Sequence, residues 1–209
     1  MISESIELLT QAIEKIVSCI DHEPINEQFD NLYKSDNTFK AIIGESPYSD
    51  AIVDANYFGF PEVAFLSTNY SLSLISIMGV LFDSIDSAIN FLEKLKNTQG
   101  EFCKDKMQAF AFWLAQNKNI ILINRNDNKH QYRQELFQNI KPKISEALVI
   151  GLDNQDEQFK KDINGINNIT IVHPSSNNYQ RNAQRCCETY FERKISSQNG
   201  VKLSDFKII

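Results

Sequence analysis

The chain of 209 residues is 42 % hydrophobic, enough for a sizeable core in one domain or a small pair. It contains no apolar run long enough to span a bilayer, and Met1–Thr10, with Glu4, Glu7 and no basic residue, does not read as a secretory leader. The net charge of −6 excludes a uniformly basic nucleic-acid binder, but the charge is uneven. Residues 1–60 hold 11 acidic and 3 basic side chains, whereas the last stretch, from Arg181 to Ile209, holds six basic and three acidic ones.

Taken in chain order, Glu4–Ile20 places Ile6, Leu9, Ile13, Ile16, Val17 and Ile20 at the period of an amphipathic helix. The polar stretch that follows, to about residue 37, predicts short helices or turns, so 1–37 is expected as a helical part packed on the rest. Ala41–Gly44 (AIIG) reads as a buried strand ending at a glycine, with a turn through Pro47. EVAFLS around Phe65 is apolar enough to line a pocket or form a short strand. Ser84–Asn97 predicts a helix with Ile85, Ala88, Ile89, Leu92 and Leu95 on one side, and Asp105–Asn117 predicts another. Ile120–Asn124 (IILIN) is a strand whose last residue is polar. A helix near His130–Ile140 leads to the strand Ala147–Leu152, a poorly patterned link, the strand Ile169–Val172, the turn HPSSNN and a helix from about Gln180 to Lys194.

Short, nearly continuous apolar strands separated by helices specify a mainly parallel sheet covered on both faces. The expected architecture is a three-layer αβα fold around four such strands, without an internal repeat or a convincing linker, hence a single domain over 1–209. Cys19, Cys103, Cys186 and Cys187 make no CxxC pair, and adjacent cysteines on a helix diverge. All four are expected as reduced thiols in a cytoplasmic protein, with no metal site and no cofactor.

Three strand ends carry polar residues: GESPYS (Gly44–Ser49), Asn124, and HPSSNN (His173–Asn178). In an open α/β sheet, ligands bind beyond the carboxyl ends of the strands. Each segment alone serves equally well as a turn or cap, but three at one sheet edge form a candidate site. GESPYS has neither G-x-G-x-x-G spacing nor a Walker lysine, which argues against a generic dinucleotide or P-loop enzyme.

The ordered segments IIGESPYS, EVAFLS, WLAQNKNIILIN, ALVIGLDN and ITIVHPSSNNYQR resemble the uracil-DNA glycosylase superfamily, most closely its classical branch. That branch has GQDPYH, GLAFS, a strand ending LLLN, a strand ending in a glycine turn, and HPSPLS before a helix. The ending FERKISSQNGVKLSDFKII is similar to the family's closing helix and short tail. Order and spacing match over residues 38–209, most weakly at 50–62 and 153–168. The resemblance implies that Phe65 stacks on a flipped pyrimidine, that Tyr48 blocks a thymine methyl, and that Asn124 hydrogen-bonds the base edge. It implies that His173 stabilises negative charge on the departing base, and that Ser175 contacts a phosphate.

Two positions depart from the classical pattern. Ser46 stands where that branch has its aspartate, and a serine hydroxyl is a poor base near neutral pH. Its neighbour Glu45 makes the motif similar to the GEAPG or GEGPG of the iron–sulfur branch, whose glutamate is functional, so Glu45 becomes the candidate for water activation or cation stabilisation. Asp50 and Asp54 are more distant alternatives. The paired cysteines of the cluster-bearing branches are missing, so no iron–sulfur centre is implied. The second departure is Asn177, where the classical loop carries an apolar wedge; this implies a preference for single-stranded DNA or a low activity. Arg181 and Arg185 are placed to touch phosphate or to be solvated.

The resemblance therefore implies a cofactor-free, DNA-directed monomeric glycosylase that leaves an abasic site. A catalytically silent relative binding a base, nucleotide, nucleic acid or protein is the alternative, and a hydrolase of free nucleosides or nucleotides is a third.

Overall fold

The computed structural model describes residues 2–20, 25–45, 72–127, 131–151, 156–171, 196–197 and 200–209. The chain opens with α1 (Ile2–Ile20), whose Ile6, Leu9 and Ile13 are buried as the apolar spacing requires. The polar stretch after it contains α2 (Ile25–Lys34), and both helices pack against the later α5. Strand β1 (Phe39–Gly44) begins two residues before the AIIG core of the motif, because Phe39 is itself fully buried. Helix α3 (Leu72–Phe82) has no counterpart among the elements expected from the sequence. Its LSLISIMGVLF sequence is apolar on nearly every side, so it shows no stripe of period 3.6.

Helix α4 (Ile85–Lys94) starts where Ser84 accepts a hydrogen bond from the Ser87 amide at 3.3 Å, a side-chain N-cap. Helix α5 (Lys104–Lys118) ends at Asn119, whose φ of 52° is the left-handed geometry that closes a helix. Strand β2 (Ile120–Asn124) follows at once and is buried throughout. Helix α6 (Gln134–Ile140) starts later than its apolar pattern suggests. The chain first doubles back through a bridge between Asn126 and Tyr132, closed by Arg133 N–H on Arg125 O at 3.0 Å. Strand β3 (Ile144–Ile150) likewise begins earlier than expected, since the polar start of KISE is carried by Glu146 pairing with Lys40 at 3.1 Å. A short α7 (Glu157–Asp162) occupies the poorly patterned link before β4 (Asn167–Ile171).

The sheet order is β2-β1-β3-β4, all parallel, with a two-residue antiparallel β5 (Ser196–Ser197) on β4. Helices α3, α4 and α5 connect β1 to β2, whereas α6 and α7 lie in the connections that run the other way across the sheet. The right hand that such crossovers take puts the two groups on opposite faces, giving three layers. One continuous cluster of buried side chains runs from Ile6 of α1 to Ile208. The tail joins it through a 3-10 turn at Leu203–Phe206. Ile208 N–H donates to Leu81 O at 2.8 Å, and Lys40 Nζ donates to Asp205 O at 2.8 Å. No described helix is long and apolar enough to cross a membrane.

Candidate functional site

Connections leave β1 and β3 in opposite directions, so the order β2-β1-β3-β4 has its switch point between these two strands. At such a point the loops beyond the carboxyl ends diverge and leave a crevice. Gly44, the last residue of β1, is in register with Asn124, the last residue of β2. The two chains stay paired beyond the strands, with Arg125 N–H on Gly44 O at 3.0 Å and Asn126 N–H on Glu45 O at 2.9 Å. Alternation along parallel strands sends Gly44, Asn124 and Ile150 to one face and Arg125 to the other.

Asn124 is 2 % exposed, and its Nδ2 has no hydrogen-bond partner among the described residues. An orphaned buried donor costs about 1–3 kcal/mol, so native structures seldom keep one without a reason. Asn168 provides the contrast: it is also buried, but its Nδ2 donates to Ile166 O at 3.0 Å. Gln108 of α5 is a second buried amide whose Nε2 has no partner among the described residues. Glu45 sits at the bend where β1 ends, exposed to solvent. The structure therefore brings Glu45 and Asn124 to the same carboxyl edge on neighbouring strands. Tyr48, Phe65, His173, Ser175, Asn177 and Arg181 lie outside the described residues, as do Ser46, Asp50, Asp54 and Arg185.

The sequence reading passed over Arg125. Its side chain is 2 % exposed and reaches from β2 across the end of β1 to the end of β3. Nη1 donates to Ile150 O at 3.1 Å, while Nη2 donates to Gly151 O and to Asp156 Oδ2, each at 3.0 Å. The guanidinium also lies 5.8 Å from the centre of the Phe159 ring. Phe159 belongs to an aromatic group with Phe137 and Tyr132, at centroid separations of 5.1–5.9 Å. The available signal was a charged residue directly after the strand IILIN, with a complementary aspartate shortly after the next strand.

Tyr132 donates its hydroxyl to Asp162 Oδ2 at 2.8 Å. Burial, aided by that hydrogen bond and by the Asp162 charge, holds the phenol well above its ordinary ionisation range. In the unfolded chain a tyrosine ionises near pH 10, so Tyr132 contributes fully to stability below that pH and progressively less above it. Urea unfolding at pH 9 and pH 11 is expected to show a smaller loss of stability for Tyr132→Phe than for the native protein. Equal losses would remove Tyr132 as the source.

A shallow groove of about 830 Å³ flanks the same β2–α6 connection, lined among others by Asp127, Gln131, Tyr132, Arg133, Gln138 and Asn139. Neither Glu45 nor Asn124 lines it. Among the described residues no group of three or more His, Cys, Asp or Glu is placed to hold a metal ion, and Cys19 and Cys103 are free thiols. No family model matches the chain, and none of the curated proteins matches it.

Proposed function

We propose that the protein is a monofunctional DNA glycosylase that hydrolyses the N-glycosidic bond of uracil or a related damaged pyrimidine. The observation that carries this reading is the buried Asn124 amide with an unused donor at the carboxyl end of β2, within the ordered set of glycosylase-like segments. A flipped base offers the ring acceptors that such an amide lacks, and the low-dielectric surroundings strengthen the bond.

In this reading Asn124 and Phe65 hold the base, Tyr48 excludes a thymine methyl, and Ser175 grips the phosphate. The bond between the sugar anomeric carbon and the base nitrogen breaks with its electron pair on the base, whose negative charge His173 stabilises. Water supplies hydroxide to the sugar carbon, and its proton is taken up by Glu45 or by the departing base. Glu45 fits this part because it stands one residue beyond Gly44, the partner of Asn124 in the sheet, at an exposed bend open to water. With Asn177 in place of an apolar wedge, single-stranded DNA is the preferred substrate.

Alkaline cleavage of labelled uracil-containing oligonucleotides tests the assignment. Native protein is expected to cleave single strands faster than duplex, and Glu45→Gln is expected to lose about 10²–10⁴-fold in rate. An unchanged rate in Glu45→Gln would remove the carboxylate from the mechanism. The second reading, a silent relative that only binds a base or nucleotide, rests on Ser46. It gains if native protein leaves the DNA intact while Ser46→Asp cleaves it.

A further inference from the structure

Asn124 is followed at once by the most heavily engaged buried cation among the described residues, and the two side chains leave β2 on opposite faces. Neighbouring strands lie about 4.8 Å apart, so β2 and β3 are roughly 10 Å apart across β1, a gap that the Arg125 side chain and its hydrogen bonds close together. Its main chain is fixed on both sides, by Gly44 O and by Arg133 N–H. Its Nη2 holds together Gly151 O, just past β3, and Asp156 Oδ2, just before α7. Gly151 follows β3 at the switch point, where binding residues of open α/β sheets collect.

We propose that Arg125 is a positioning residue of the candidate site. One guanidinium ties the end of β3, at Ile150 and Gly151, and the start of α7, at Asp156, to the backbone that carries Asn124, so the base-holding amide and the carboxyl end of β3 keep a fixed spacing. Five N–H donors in a planar fork suit this task; a lysine ammonium cannot reach three acceptors in the same geometry. The Phe159 ring behind the guanidinium keeps water out of that side of the sheet edge. Arg125 touches neither base nor sugar in this scheme and acts through Asn124 and the end of β3. The proposal rests on the glycosylase reading for its kinetic consequence, not for its structural one.

The test compares Arg125→Lys, Asp156→Ala and Asp156→Asn with native protein in steady-state excision from single-stranded uracil DNA. Melting curves check that each variant is folded. Loss of spacing at a reacting centre lowers turnover more than ground-state binding. Arg125→Lys is expected to lower kcat by about 10–100-fold with KM changed by less than about 3-fold. Asp156→Ala, which frees only the start of α7, is expected to lose about 10-fold, and Asp156→Asn, which keeps an acceptor, to stay within about 3-fold of native. Folded variants with native kcat, or with only a raised KM, would overturn the proposal.

If native protein releases no base, the glycosylase reading fails and the positioning claim is read by NMR. The Asn124 side-chain amide signal, identified by its loss in Asn124→Leu, is then expected to shift in Arg125→Lys and Asp156→Ala. An unmoved signal in both would overturn the positioning role independently of any activity.

Discussion

Replacing Asn124 by leucine is expected to make the protein more stable by about 1–2 kcal/mol and to lower base release by about 10²–10³-fold. The two side chains are similar in size, and Leu122, two residues earlier on the same face of β2, is buried and apolar. Leucine removes a buried donor that has no partner among the described residues and adds apolar burial in its place. At a purely structural position such an exchange has no functional counterpart; at a binding position it trades function for stability. Chemical unfolding and single-turnover excision, measured on the same preparation, check both halves. A destabilised Asn124→Leu would mean that the amide is already satisfied, and would take away the main support for a base pocket at this strand end.

The second large effect is structural. Phe206→Ala is expected to cost about 3–5 kcal/mol and to lower the melting temperature by roughly 10 °C. Phe206 is fully buried in the last turn of the chain, and Lys40 of β1 lies 5.9 Å from its ring centre. The same lysine bonds Asp205 O and pairs with Glu146, so one side chain joins the tail to β1 and β3. Lys207 pairs with Asp83 at 2.5 Å beside the Ile208–Leu81 hydrogen bond, which ties the tail to the end of α3. Removing the ring leaves a cavity under that tail, and the polar links alone contribute too little to close it. Phe206→Leu keeps most of the volume and is expected to lose less than half as much. Equal losses for the two would mean that the tail stands on its hydrogen bonds and not on the ring.

Much of the framework is legible from residue pattern because the parallel strands are buried on both faces. AIIG, IILI and ALVI are continuous apolar runs and ITI is nearly so, and each lies within a strand. The helices α1 and α4 follow for a related reason: a buried side and a wet side produce the 3.6 period, and in α4 a capping serine marks the start. The elements that escaped reading lack that contrast. Helix α3 is apolar throughout, and α7 buries Phe159 alone among six residues. Glu146 disguised the first half of β3, because its charge is neutralised by Lys40 on the neighbouring strand, a partner that no local pattern reveals.

The same division holds at the candidate site. Asn124 is conspicuous as a polar residue closing an apolar strand, and its burial gives that position physical meaning. Arg125 reads in the sequence as an ordinary solvated charge after a strand. Its acceptors lie on Ile150, Gly151 and Asp156, 25 to 31 residues further along the chain, and only the β2-β1-β3 order brings them within reach.

The most direct measurement is the detection of free base by mass spectrometry after incubating native protein with single-stranded and duplex oligonucleotides that contain one uracil. The account predicts one uracil released per abasic site formed, faster from the single strand, with no base released from a thymine control. Intact oligonucleotides and no free uracil from native protein would contradict it.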